Sequence, residues 1–478
     1  MREVGAEGAR YEWWSTCSNK ESTRGRDVKL KEDLVRIAED TVSLAEKLGA
    51  DQAEAYTASS KSVSIEVENN SVKAASHDCD MGCGIRSVIG KRVGFAYVTN
   101  LDTADIREIA EESVALAHAS LPDSDFETLP ALDKDYPTIQ GVFDASIKEL
   151  MPDEAADYLI RAVDASLEAT EPFRTAVEAS FTATSLSRAI VNSLGISGFE
   201  ESTAAFLFSS PTVRSENGQN SSYEYQISRS LDDINPEWVG SSAGKSALDG
   251  LGGKTVEEGY MPVIFTPLAV GRVIGYGFGG AVNAEEVQDG RSYISDDIGN
   301  QIASEKISIV DDATIPRGIS SRPFDAEGVP SRKTVILSDG VLKSHLHNSY
   351  TASREGVENT ANASRSSYSG TPSISTTNFI IEPDRHSLKD FISEMDRAIV
   401  CRNTADRPNM TTGELSAMIM EGFYVEQGEI KHPVKNTLIG INMRDLLSRV
   451  SNVGEDVRTT MSVVSPSIVI DNVRITSG

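Results

Sequence analysis

A chain of 478 residues is too long for one compact core and favours two or three domains, and its 39% hydrophobic and 24% charged composition is that of a globular protein. With 45 basic against 72 acidic residues it carries a net charge of −27, a surface that repels phosphate backbones and anionic lipid and so argues against nucleic-acid and membrane binding. No run approaches the ~20 apolar residues that span a bilayer, and the four cysteines (Cys17, Cys79, Cys83, Cys401) make no disulfide framework and fit a reducing, cytoplasmic compartment.

Residues 1–29 contain Trp13-Trp14 but no apolar core between charged and small-residue flanks, so they do not read as a secretory signal. Lacking periodicity, they read as a disordered extension or as the product of a start codon placed too early. Regular structure is expected from Leu30, where Leu34, Ile37, Ala38, Leu44, Ala45 and Leu48 recur at helical spacing and Gly49 follows as a C-cap. The period then switches to two. Ala53–Ser59, Val63–Glu68, Val72–Cys79, Gly84–Ile89 and Arg92–Thr99 alternate apolar with polar residues, with turn signals at Asn69-Asn70 and Gly90-Lys91, and predict an antiparallel meander. Cys79 and Cys83 form no CxxC pair and are expected as half-buried thiols on a strand.

Helices are predicted over 104–119 and 152–169, separated by a Pro- and Asp-rich connector. More strands follow at Ala176–Thr184, Ser187–Asn192, Ser202–Ser209 and Ser221–Ser230, and then a helix at Trp238–Leu251. Gly250–Gly253 marks a domain boundary, dividing the chain into residues 30–253 and 254–478. The second half opens with a buried strand, Val263–Phe265, and an apolar stretch, Leu268–Ile274, that runs into the glycine-rich Gly275–Gly280. Lys333–Leu337 and Val341–His347 flank a hairpin signal at Ser338-Asp339-Gly340. Ser387–Val400 has helical period, a hairpin turns at Gln427-Gly428, and Ser467–Ile475 reads as a final strand. Grouped strands with helices between the groups predict an α+β fold of two domains, each with mainly antiparallel sheets and flanking helices.

Several segments resemble a known family when taken in order. They are Ala53–Tyr56, Ser71–Ala74, Gly82–Arg86 and Gly90–Thr99 in the first half, and Gly290–Ser292, Gly299, Ile307–Asp312, Phe324–Pro330, Asp339–Leu342, Thr412–Leu415, Gly422–Ile430 and Pro433-Val434 in the second. From about Leu30 to the C-terminus the chain is similar to the TldD/PmbA family. The resemblance implies one of two roles. TldD-type subunits look like metalloproteases that carry two His, or a His and an Asp, on one helix with a Glu beside the first, a spacing at which two turns reach one ion and the carboxylate serves as base. PmbA-type subunits, also called TldE, share the scaffold, lack the motif and form a heteromeric complex with their partner.

With the preceding apolar segment aligned, Gly275 falls at the place of the first His, Tyr276 at the Glu and Gly280 at the second ligand. Glycine offers a metal nothing, and tyrosine is no base at neutral pH. No histidine lies between His118 and His345. The resemblance therefore implies a non-catalytic PmbA/TldE-type subunit of a metalloprotease complex acting on unfolded or small peptides. It would hold no cofactor of its own, with zinc expected only in a TldD-like paralogous partner. The family's description as modulators of DNA gyrase suggests a gyrase-related partner, although direct DNA contact sits badly with the charge.

Two alternatives use other residues. His345 and His347, two apart on an expected strand, share a face and could bind metal with Glu355 or Glu358, making a stand-alone metallopeptidase with relocated ligands; a solvated face is the simpler account of the pair. Exposed strand edges could instead capture extended peptides without catalysis. Gly275–Gly280 lacks the Lys-Ser/Thr of a phosphate loop and fits close backbone approach better. Glu285-Glu286 and Asp296-Asp297 are assigned no role in so acidic a chain. The Ser-rich stretch Ser364–Ser375 lacks a Gly-x-Ser-x-Gly and is expected as a loop bordering a cleft.

Overall fold

The computed structural model describes residues 23–477 other than 133 and 217. The expected extension therefore lies outside the described residues up to position 22. From Thr23 onward it is helical instead, because α1 runs Thr23–Lys47 and starts seven residues before the first predicted periodic position.

The alternating segments after α1 build one seven-stranded sheet from β1 (Gln52–Glu68), β2 (Ser71–Ile89), β3 (Arg92–Val98), β4 (Arg174–Asn192), β5 (Ser197–Ser215), β6 (Gly218–Ser221) and β7 (Glu224–Ser228). Its path is β3-β2-β1-β4-β5-β6, with β7 also on β5, and the pairings are antiparallel. Strands predicted in pairs are continuous. Ser60, Lys61 and Ser62 interrupt the apolar alternation of β1, yet pairing with both β2 and β4 carries the backbone through them. The turns fall where the sequence signals them, with Asn69 and Asn70 at φ 51° and 66° and Gly90 at 60°.

Period two divides the work of this sheet between its faces. On one face, Ala53, Ala55, Cys83 and Ile85 pack under α1 and α2 (Thr103–Ala119). Val63, Ile65, Phe181 and Leu207 pack under α4 (Pro152–Ala169) and α5 (Pro236–Asp249), beyond the short α3 (Ala145–Glu149). On the other face, Tyr56, Ala58 and Ile190 meet Phe324 and Tyr368 of the second half. Each large apolar side chain buried there contributes about 1.5–3 kcal/mol. Cys83 is fully buried whereas Cys79, on the protruding half of β2, is exposed, so the expected pair of half-buried thiols is corrected.

The second half holds two larger sheets around one core. The first orders Arg397–Thr404, Gly259–Phe265, Ile468–Ser477, Thr437–Asn442, Glu414–Glu426 and Glu429–Pro433, with Val450–Val453 on Ile468–Ser477. The second orders Val341–Leu342, Lys333–Ser338, Ile309–Asp312, Phe379–Ile381, Val463–Ser465 and Arg458–Thr460. One parallel pair enters each. The architecture is thus α+β with mainly antiparallel sheets and flanking helices, as the grouping of strands predicts.

Two segments differ from expectation. Ser387–Val400 is helical only over Leu388–Glu394 and then becomes the strand Arg397–Thr404. That strand is buried on both faces, Ile399 and Cys401 in one cluster and Ala398 and Val400 in another, and two-sided burial erases the alternation that marks a strand. Val341–His347 is a strand only at Val341–Leu342, and Leu346 beyond it makes a single bridge to Asn283.

Candidate functional site

The apolar stretch after Gly259–Phe265 folds as α6 (Pro267–Val270), a widened π-type turn over Gly271–Gly275, α7 (Tyr276–Ala281) and α8 (Ala284–Gln288). Insertions of this kind into a helix are frequent at functional sites. Here the glycines of the run are faces on which other segments lie. A Cβ at Gly275 would stand 2.5 Å from Val463 Cγ2, and one at Gly277 would stand 2.6 Å from Pro408 Cγ. A Cβ at Gly280 would fall 1.5 Å from Met410 Cε.

The space that a metal-binding helix would offer is therefore largely filled from Val463 and from the segment 408–410. What remains is a small cavity of about 190 Å³ between Gly275, Gly279, Gly280, Leu346 and Met410, with Asn283, Ser375 and Thr376 as polar lining. It contains no imidazole, thiol or carboxylate, and the residues at 275, 276 and 280 do not fit the family's zinc. Tyr276 is exposed, and the Arg407 guanidinium lies 4.4 Å from its ring centre.

His345 and His347 stand on the other side of the same segment. Leu346, between them, lines the glycine cavity, while both imidazoles line a separate cavity of about 340 Å³ with Glu355, Glu358 and Thr360. The expectation of a solvated face is corrected, because each histidine is only 3% exposed. The polar neighbours Ser344 and Asn348, which suggested solvent, are held by backbone: Ser344 donates to the His345 carbonyl at 2.6 Å, and Asn348 caps α9 (Ser349–Glu355) by accepting from Thr351 N at 2.9 Å. Burial lowers both imidazole pKa values against the opposing pull of Glu355 and keeps the rings neutral. Of the two carboxylates considered as third ligand, Glu355 comes within 4.0 Å of His347 Nε2, whereas Glu358 pairs with Arg332.

The acidic pairs bind structurally, Glu286 with Arg291 at 2.8 Å and Asp297 with Arg444. The segment Ser364–Ser375 is a loop between the short strands Ala363–Ser364 and Ser373–Ile374, and it is tied to the first half. Its Arg365 pairs with Glu54 of β1, and Tyr368 Oη donates to Asp80 at 2.7 Å.

Sequence reasoning missed a buried ion cluster. Glu54 and Arg86 are cross-strand neighbours on β1 and β2, bonded at 2.9 Å; Arg86 also reaches Glu327 at 3.1 Å, and Arg365 closes on Glu54. Burial would raise the Glu54 pKa, but Arg86 and Arg365 together hold it below the ordinary carboxylate range. Asp325 accepts from the amides of Glu327 and Val329, each at 2.9 Å, and so shapes the turn that presents Glu327. A second cluster joins Glu224 of β7 to Arg402 at 2.7 Å and to Arg458, with Arg402 also on Glu421 at 2.6 Å. The signal that could have found the first cluster is the charge inside apolar motifs, Glu54 in Ala-Glu-Ala-Tyr and Arg86 after Gly-Ile.

Comparison with known proteins agrees with this architecture. Three models of one family match in order: PmbA/TldA metallopeptidase domain 1 over residues 53–117, the central domain over 145–251 and the C-terminal domain over 258–477. The chain is 27% identical to Metalloprotease PmbA of Escherichia coli O157:H7, covering 92% of this chain and 96% of that one. It is 26% identical to a Metalloprotease TldD homolog of Buchnera aphidicola, covering 82% and 83%. The crystal structure of TldE from Thermococcus kodakarensis superposes with a TM-score of 0.86 at 25% identity, covering 92% of this chain and 100% of that one.

Proposed function

The chain belongs to the PmbA/TldD metallopeptidase family, and from that premise we propose that it is a non-catalytic PmbA/TldE-type subunit, working in the cytoplasm beside a TldD-type paralogue that carries the zinc and cleaves unfolded or small peptides. The observation that carries this reading is the occupation of the motif helix. Val463 and Met410 sit where side chains at 275 and 280 would project, and Tyr276 replaces the base. Val463 and Met410 pack against this helix, and the cavity of about 190 Å³ left beside it offers no metal-binding side chain. A fold shared with proteases does not confer their chemistry, which resides in the site.

The test compares peptide hydrolysis by the purified chain, by a TldD-type paralogue and by their mixture. Activity that needs the paralogue and is raised by adding this chain supports the reading. Metal-dependent cleavage by the chain alone would overturn it in favour of a stand-alone peptidase.

A second reading, peptide capture without catalysis, is favoured by one observation. Over Ser71–Gly82, β2 pairs only with β1, because its pairing with β3 begins at Cys83. That outer edge could accept an extended peptide by strand addition.

A further inference from the structure

We propose that His345, His347 and Glu355 form a binding site for one divalent transition ion of the zinc class, separate from the degenerate helix. Three observations converge on it. One donor atom from each residue lies within 4.8 Å of the others, and among the described residues no other such group of three exists. Both histidines are 3% exposed, yet neither nitrogen of His345 nor Nδ1 of His347 has a hydrogen-bond partner of normal geometry; the nearby backbones of Ile294 and Thr351 act on His345 and His347 without one. Leaving a buried polar group unsatisfied costs about 1–3 kcal/mol, and a native fold rarely tolerates several together without a ligand. Finally, the cavity of about 340 Å³ gives an ion and a completing water a way in.

The donor set fits the ion. Two neutral imidazoles and one carboxylate suit zinc-like ions over calcium or magnesium, which prefer all-oxygen shells. Ligand atoms on a tetrahedral zinc are about 3.3 Å apart, given bonds of about 2.0–2.1 Å. The 4.0 Å between His347 Nε2 and Glu355 Oε2 is too long for a hydrogen bond and closes with a small side-chain rotation. Glu355, 35% exposed at the end of α9, has that freedom.

Supporting contacts are already in place. Gln288 Nε2 donates to Glu355 Oε2 at 3.0 Å, an outer contact of the kind that orients a ligand. Thr360 Oγ1 accepts from the backbone amide of His347 at 2.6 Å and fixes the chain there. The basic residues lining the cavity do not oppose an ion at its centre: Arg332 is paired with Glu358, and Lys333 and Lys343 are exposed at the rim.

The site does not depend on the subunit reading, and its test does not depend on peptidase activity. The full chain, stripped by chelator and dialysed, is titrated with zinc and with cobalt, following bound metal by elemental mass spectrometry and the cobalt complex by its visible absorption. One ion per chain is expected, lost in the His345→Ala/His347→Ala double variant and weakened about tenfold or more by Glu355→Gln. Should the double variant fail to fold by circular dichroism, Glu355→Gln decides, because its side chain lies at an accessible helix end. No stoichiometric ion on the wild-type chain, or binding unchanged by Glu355→Gln in folded protein, would overturn the site. Either result leaves the subunit proposal standing, since that is tested separately by peptide hydrolysis.

Discussion

Arg86 donates to Glu327 at 3.1 Å across 241 residues of sequence, from the buried end of β2 in the first half to a turn in the second. Both belong to segments by which the family is recognised, Gly82–Arg86 and Phe324–Pro330. Glu54 and Tyr56, from a third such segment, face the same junction, where Arg365 pairs with Glu54 and lies 5.2 Å from the Tyr56 ring centre. Three of the segments that carry the resemblance thus meet at one place, where the two halves join.

Removing Arg86 leaves Glu327 buried without its cation and Glu54 with Arg365 alone. Arg86→Leu should therefore cost about 3–5 kcal/mol, far more than a surface ion pair at about 0–1 kcal/mol. Arg161→Leu, which breaks the exposed pair with Glu237, is the control. Chemical unfolding of both variants measures the difference, and equal losses would mean that the buried cluster contributes no more than a surface pair.

Glu54 also sets a pH dependence. Its pKa is depressed in the folded chain, so the folded state binds fewer protons than the unfolded state around the ordinary carboxylate range. The resulting stability is fully present above the unfolded value of about 4.3 and is lost as pH falls through the folded one. Acid unfolding of the wild-type chain should steepen below about pH 4.3. Glu54→Gln should be less stable at neutral pH and shallower in that acid window, as thermal melts across pH would record.

Much of the fold is legible because local signals and tertiary pairing agree. Helix α4 spans the predicted residues, and the turns at Asp339-Gly340 and Gln427-Gly428 carry the positive φ that their residues imply. Legibility fails where partners far along the chain decide. The first residues of the strand Arg397–Thr404, up to Val400, read as helix because both its faces are buried, and His345 and His347 read as solvated because Ser344 and Asn348 spend their polar groups on the local backbone. The absence of a metal motif at Gly275, Tyr276 and Gly280 is visible in the letters. That the space is packed by Met410 and Val463 is not, since those residues arrive from more than a hundred positions away.

Gly84 tests whether the family's glycine pattern serves the junction. A Cβ there would lie 2.0 Å from the Tyr368 carbonyl oxygen, a backbone atom that cannot swing aside. Gly84→Ala should destabilise by at least the about 1–3 kcal/mol typical of overpacking. Tyr368→Ala in the same background should not rescue it, because the clash is with backbone and not with the ring. A melting temperature restored by Tyr368→Ala would place the conflict in the side chain instead.

Gly275 and Gly280 should respond unequally to the same substitution, and the difference separates a packed helix from an empty one. At Gly280 the obstacle is the Met410 methyl, the far end of a flexible side chain, and alanine gains about 1 kcal/mol of helix propensity over glycine. Gly280→Ala is therefore expected to be near neutral. At Gly275 the obstacle is both methyls of Val463, a stiff β-branched residue 9% exposed within the core, so Gly275→Ala should cost about 1–3 kcal/mol in spite of the propensity gain. The same asymmetry limits any attempt to rebuild a zinc motif. Gly275→His combined with Tyr276→Glu and Gly280→His should lower the melting temperature and yield no peptidase. If that triple variant folded with wild-type stability and cleaved peptide with added zinc, the packing of Val463 and Met410 over this helix would be only a loose cover.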